Sequence, residues 1–259
     1  MPQILAIANQ KGGVGKTTTA VNLAAALAIA EKSTLLVDID PQANSSSSLS
    51  FRLGRDEPCI YDLLMDGASF DDSVRETGIP YLWLVPSHIR LVGAEIELVE
   101  FERRELVLRK ALRPFSERFD YILIDCPPSL GLLTLNGLGA ADGVLIPLQA
   151  EYFALEGLTQ LLQTVRLVRK RLNPGLQMKG IVLTMFDHRL NLARQVREEL
   201  VKFFPDRTFK TVINRNVRLA EAPSFGKPVM HFAVNSRGAR DYLALAAELL
   251  AMDESPVAA

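Results

Sequence analysis

The stretch of this sequence best equipped for chemistry is Gln10-Lys11-Gly12-Gly13-Val14-Gly15-Lys16-Thr17-Thr18. An apolar run, Ile4 to Ala8, precedes it and reads as a short buried strand. An Ala/Leu-rich run, Thr19 to Ala30, follows and reads as a helix. Strand, glycine loop and helix in that order form a cradle for phosphate. Glycines let the backbone turn tightly and aim N–H groups inward, and the helix N-terminus adds partial positive charge. In such a cradle Lys16 reaches the β- and γ-phosphates and the Thr17 hydroxyl ligates Mg²⁺, while Gly12, Gly13, Val14, Gly15 and Thr18 complete the nucleotide-binding set.

Two further strands must carry acidic groups to the same place. Thr34-Leu-Leu-Val-Asp38 is an apolar run ending in a carboxylate, followed by Ile39-Asp40-Pro41-Gln42. Phe119-Asp-Tyr-Ile-Leu-Ile-Asp125 is a second such run, followed by Cys-Pro-Pro-Ser129. Ligands of open α/β sheets bind outside the carboxyl ends of the strands, where these aspartates would lie. Asp125 in that setting holds Mg²⁺ through water. An Asp-Pro turn after a strand accounts for Asp40-Pro41, though not for the pair with Gln42.

The ordinary phosphate-loop pattern places a glycine five positions before Gly15, where this chain has Gln10, and an extra lysine, Lys11, sits beside Gly12-Gly13. The resulting K-G-G-x-G-K-T-[ST] signature resembles the ParA/MinD superfamily of ATPases. Within it the chain is similar to chromosome-partitioning ParA proteins that lack an N-terminal helix-turn-helix domain. The resemblance spans nearly the whole chain, specific at 10–18, 38–42, 125–129 and 214–226 and thin between 43 and 118. It implies ATP and Mg²⁺ as cofactors, with Lys11, Lys16 and Asp40 catalytic. Lys11 would reach across a dimer interface to the partner's nucleotide, and Asp40 would orient or activate the attacking water. Thr17, Asp38 and Asp125 would serve the metal, and Met185 and Asn214 the adenine. Gln149 to Gly157 matches a segment at the dimer face. Asn214-Arg215-Asn216-Val-Arg218-Leu-Ala-Glu-Ala-Pro-Ser-Phe-Gly226 resembles the signature N-V-R-L-[AS]-E-A-P-S-x-G, a string with no evident packing reason. Arg189 and Arg218 correspond to arginines associated with DNA binding. The implied partners are a second copy of the chain, duplex DNA bound without regard to sequence, and a ParB-type centromere-binding protein that stimulates hydrolysis.

The fold expected is α/β, a doubly wound and mainly parallel sheet with helices on both faces, of the P-loop NTPase type. One domain over 1–253 with a short polar tail, 254–259, fits a chain of 259 residues. Tyr61-Asp-Leu-Leu-Met65 reads as a short helix, Tyr81 to Val85 as a strand, and Leu91 to Leu112 as one amphipathic surface helix. Leu158 to Leu172 reads as a long helix, Gly180 to Met185 and Phe209 to Asn214 as strands, and Arg240 to Met252 as a packing helix. Two cysteines, Cys59 and Cys126, are too few for a disulfide framework. The start of the sequence leaves no room for a signal peptide, and no apolar run approaches a membrane span. A cytoplasmic, nucleoid-associated protein without membrane contact is expected.

Charge is unevenly distributed. Residues 1–159 carry 13 Lys/Arg against 21 Asp/Glu, and residues 160–240 carry 16 against 5. Such segregation suits a large anion, nucleic acid first, and it equally suits cationic helices that are merely solvated; charge alone leaves both open. A MinD-type membrane regulator would need a C-terminal amphipathic anchor, a tyrosine autokinase a tyrosine-rich tail, and an iron–sulfur carrier ATPase a paired cysteine motif. A non-enzymatic DNA-binding module leaves the set Lys16, Thr17, Asp40 and Asp125 unexplained. Replacing the ammonium that meets the phosphates is decisive for any of the ATPase readings: Lys16→Ala should abolish nucleotide binding in a calorimetric titration.

Overall fold

Strands buried on both faces read as near-continuous apolar runs, and those runs form the centre of the sheet. The computed structural model of the protein describes residues 2–65, 67–151 and 154–254. Its strands are β1 (Gln3–Ile7), β2 (Thr34–Asp38), β3 (Arg75–Glu76), β4 (Leu82–Val85), β5 (Tyr121–Asp125), β6 (Gly143–Gln149), β7 (Gln177–Phe186) and β8 (Thr208–Asn214). They form one sheet in the order β3-β4-β2-β5-β1-β6-β7-β8. Every pairing is parallel except that of the short edge strand β3 with β4. β1 lies between β5 and β6, so the loop leaving it opens where the winding changes direction, the place such sheets bind ligands.

The helices are α1 (Lys16–Ile29), α2 (Asn44–Ser48), α3 (Ile60–Met65), α4 (Phe70–Ser73), α5 (Leu91–Glu97), α6 (Val107–Leu112), α7 (Leu132–Ala140), α8 (Ala154–Arg171), α9 (Asn191–Phe203), α10 (Val217–Glu221), α11 (Val229–Phe232) and α12 (Arg237–Glu254). Successive strand residues face opposite sides, and the core divides accordingly. Leu5, Ile7, Leu36 and Leu123 pack with α1, α11 and α12. Ala6, Val37, Ile124, Ile146 and Ile181 pack with α3 to α9. Each large side chain so buried contributes about 1.5–3 kcal/mol. Five alanines, Ala20, Ala24, Ala25, Ala26 and Ala28, let α1 be enclosed on nearly every side and bring the phosphate loop flush with the sheet.

The expected helix over 91–112 is instead two short helices joined by 3₁₀ turns. Phe101 is extended and Arg103 takes a left-handed φ of 53°, which ends the first helix and restarts the chain at a new angle. Apolar spacing could not reveal this, because Leu98 and Leu108 are both buried whichever path joins them. The helix α7 had no expectation attached. The predicted elements at 61–65, 81–85, 158–172, 180–185, 209–214 and 240–252 are present within a few residues, β7 and α12 being longer. α12 runs to Glu254, and residues 255–259 of the expected tail lie outside the described residues. No helix among the described residues is long and apolar enough to cross a membrane.

The string 214–226 has packing duties after all. Gly226 sits at φ +61° with Ser50 occupying the space a Cβ would need, and Leu219 presses on Gly238 of α12. Another close approach fixes α7: a Cβ on Gly139 would lie 2.6 Å from the Glu105 carbonyl oxygen. Alanine improves helix propensity by about 1 kcal/mol, but forcing atoms into a closed contact costs about 1–3 kcal/mol. Gly139→Ala should therefore lower the urea midpoint despite its better helix residue.

Candidate nucleotide-binding site

Gly13 and Gly15 hold φ values of +74° and +86°, conformations that glycine alone reaches without steric cost. They turn the chain from β1 into α1 so that the first-turn amides face the loop. Both shoulders of the loop are fastened. The Thr184 hydroxyl on β7 donates to the Val14 carbonyl at 2.7 Å. Asn9 donates to the Pro147 carbonyl at 2.7 Å and accepts from the Lys11 amide at 3.0 Å. Lys16 is 7% exposed, and its ammonium donates to the Lys11 carbonyl at 3.1 Å. Burial pulls its pKa down, while Asp125 and Asp40 hold the charge in place.

Asp38 and Asp125 are register partners at the ends of neighbouring parallel strands and are fully buried. They continue the face carrying Leu36 and Leu123, which is the α1 side. Asp38 accepts from the Ser46 amide (2.9 Å), the Ser46 hydroxyl (2.7 Å) and the Asp40 amide (3.2 Å). Asp125 accepts from the Ser45 hydroxyl at 2.8 Å, and Thr17 is close enough to favour its charged form. Burial, reinforced by Asp125, pushes Asp38 up to about 8. Burial likewise raises Asp125 to about 6 against the pull of Ser45, Thr17 and Lys16. The second oxygen of Asp125, Oδ1, is buried without a hydrogen-bond partner. An orphaned carboxylate oxygen beside the Thr17 hydroxyl fits a hard cation such as Mg²⁺.

A cleft of about 600 Å³ runs from the phosphate loop to the ends of β7 and β8. Gly12, Gly13, Gly15, Lys16, Thr17 and Thr18 line one end, Asp40, Gln42 and Pro128 its flank, and Met185, Asn214, Val217 and Leu219 the other end. Asp40 is 7% exposed, and its carboxylate accepts from the Gln42 backbone amide at 2.9 Å. Asp38 and Asp125 lie behind the loop and do not line the cleft. Val14 is buried beneath it.

Three expected residues stand apart. Lys11 is not on the cleft wall; its half-exposed ammonium pairs with Glu151 of the same chain. The neighbouring Tyr152 and Phe153 of the expected dimer-face segment lie outside the described residues. Arg189 is 88% exposed and grips Asp187 with two hydrogen bonds of 2.9 and 2.7 Å, and Arg218 pairs with Glu221 at 2.8 Å. The residues that sequence reasoning missed are Ser45, Ser46 and Thr184, which hold the carboxylates and the loop. A serine run starting three residues after the Gln of D-x-D-P-Q was the available signal for Ser45 and Ser46. Cys126 is buried with its thiol pushed up by burial.

The chain matches the AAA domain family over residues 2–178. It is 56% identical over 251 residues to the sporulation initiation inhibitor protein Soj of Bacillus subtilis, covering 97% of this chain and 99% of that one. It is 54% identical over 251 residues to the chromosome partitioning protein ParA of Myxococcus xanthus, covering 97% and 89%. The chain belongs to the ParA/Soj chromosome-partitioning ATPases. A solved Mycobacterium smegmatis structure named cobyrinic acid a,c-diamide synthase, with bound ADP and magnesium, is 35% identical to this ParA-type chain, covers 99% of it and 97% of its own length, and superposes with a TM-score of 0.86. The ParA/MinD resemblance and the doubly wound α/β P-loop fold are thus both found.

The buried carboxylates give this ParA-type site a pH signature. A carboxyl raised from its unfolded value binds more protons folded than unfolded, so its contribution is full below the unfolded pKa and is lost as pH rises through the folded one. With Asp38 at about 8, the melting temperature of the nucleotide-free protein should fall between pH 5 and about 8.5. Asp38→Asn should flatten that slope, as read by scanning calorimetry.

Proposed function

We propose that this ATPase is a nucleotide-gated DNA clamp, working as a slow switch in chromosome partition. ATP lies in the cleft with its triphosphate on residues 12–18, Lys16 meeting the β- and γ-phosphates. Thr17 and Asp125, with Asp38 behind, hold Mg²⁺, which shields the phosphate charge when bound. Asp40, on the cleft flank beside the phosphate loop, orients the attacking water. Lys11 of each subunit leaves Glu151 and reaches the nucleotide of a second copy, so that two chains sandwich two nucleotides. The observation that carries this reading is that Lys16, Thr17 and Asp40 line one cleft together with the glycine loop. At 54–56% identity over nearly whole chains, the partition relatives outweigh the 35% match whose name gives another reaction.

The dimer doubles the basic region, and duplex DNA binds its combined field without base reading. Arg194, Arg197 and Lys202 of α9 surround a hollow with Phe186 and His188, close in sequence to Arg189. Arg189 and Arg218 exchange their carboxylate partners for phosphates, a trade that favours binding only at modest salt. A ParB-type protein stimulates hydrolysis and so frees the clamp, which places the protein on the nucleoid.

Retention on random-sequence duplex DNA, measured with ATP, ADP or no nucleotide across a salt series, tests this directly. Binding should require ATP, with a log–log salt slope of about −0.9 per phosphate neutralised. Arg189→Ala or Arg218→Ala should shallow that slope by about 1 each and keep ATPase turnover, and Asp40→Ala should remain on DNA with ATP unhydrolysed. Binding indifferent to nucleotide would remove the switch, and normal hydrolysis by Asp40→Ala would remove the water assignment.

A further inference from the structure

The far end of the cleft contains an arrangement that the phosphate chemistry does not use. Asn214 ends β8 and is 6% exposed. Asp241, one turn into α12, accepts through a single oxygen, Oδ2, from the Asn214 backbone amide at 2.8 Å and from its side-chain Nδ2 at 2.9 Å. A carboxylate oxygen only accepts, so the primary amide can face it in one orientation, NH₂ first. The carbonyl oxygen of Asn214 is thereby turned the other way, where it is buried with no hydrogen-bond partner. Buried acceptors are nearly always paired, so this one marks a place for a donor. Met185, Val217 and Leu219 on the cleft wall are apolar, and neither Arg215 nor Asn216, which also line it, donates to this oxygen.

We propose that Asp241 sets the purine specificity of the cleft, as a positioning residue that locks the Asn214 amide with its carbonyl oxygen presented to the base. This rests on reading the cleft as the nucleotide site. A 6-aminopurine brings an N–H to that oxygen. A 6-oxopurine brings a second acceptor, leaving two desolvated oxygens opposed with no proton between them. Sites built to hydrogen-bond a ligand N–H reject analogues lacking it, because the protein's own buried group is then left unpaired. The preference would vanish if the amide could rotate by half a turn, since its NH₂ would then suit the 6-oxo group. Asp241 is the short, charged acceptor that prevents the rotation, helped only by a longer donation from Nδ2 to the Val212 carbonyl at 3.5 Å.

Calorimetric titration of the full chain with ADP, IDP and GDP tests this without hydrolysis. IDP differs from ADP only at the edge in question, and GDP adds the 2-amino group. The wild type should favour ADP over IDP by about 100-fold. Asp241→Asn should keep that ratio within about threefold, because the fixed Asn214 backbone N–H holds the new amide oxygen where Oδ2 was. Asp241→Leu, or Asp241→Ala should the leucine fail to fold, should bring the ratio to within about tenfold as the Asn214 amide becomes free to turn. A purely structural role would weaken all three nucleotides together and leave the ratio alone. A folded Asp241→Leu or Asp241→Ala protein with the wild-type ratio overturns the proposal, as does a wild type indifferent to the 6-substituent. A wild type that binds no nucleotide, like Lys16→Ala, would instead remove the nucleotide-site reading on which it rests.

Discussion

Two carboxylates buried side by side cannot both be charged unless something positive joins them. Asp38 and Asp125 end adjacent strands in register, so the sheet itself brings them together and the hydrophobic faces exclude water from between them. Isolated ions in such a place would neutralise by taking protons, which is the direction both shift. Lys16, Thr17 and three serine donors offset part of the cost, and the remaining acceptor on Asp125 stays open. The site is therefore built with a deficit of positive charge, which a divalent cation arriving with a nucleotide would remove.

That deficit is wired to distant segments. Ser46 serves Asp38 and also accepts from the Ser87 amide at 2.9 Å, tying the loop after β4 to the carboxylate. A few residues on, the Ser50 hydroxyl donates to the Gly226 carbonyl at 3.1 Å. The short helix α2 and the turn after it thus link the paired aspartates to the string 214–226, whose first residue, Asn214, lies at the opposite end of the cleft. Thr184 adds a second link, from the phosphate loop to β7 and its neighbour β8. A nucleotide filling the cleft would contact both ends of this frame at once. The charged surface after residue 160 hangs from the same strands, through the loop of Arg189 and the helix of Arg218.

Legibility in the sequence followed the range of the interactions. The phosphate loop was plain because its requirement is local: φ values above zero at Gly13 and Gly15, and a lysine at a helix start. The central strands were plain because burial on both faces demands unbroken apolar runs. The path over 91–112 was misread since two short helices bury the same leucines as one long helix, and the left-handed Arg103 leaves no mark in composition. The string 214–226 looked purely functional because its packing partners, Ser50 and Gly238, lie 176 and 19 residues from those they meet at Gly226 and Leu219.

What the amino-acid sequence determined by itself was the class of fold, the phosphate chemistry and the family, since each is written in short spans whose backbone needs are nearly self-contained. What only the tertiary structure decided was which groups share a proton, a cleft or an ion pair. Asp38 and Asp125 are neighbours because β2 and β5, parallel strands three apart in the chain order, are adjacent in the sheet. Lys11 faces Glu151 because β6 lies beside β1. Asn214 presents its oxygen because α12 carries Asp241 back across β8. Each is a meeting of residues far apart in the chain, and only the packing of strands and helices around a common core brings them within a hydrogen bond's length.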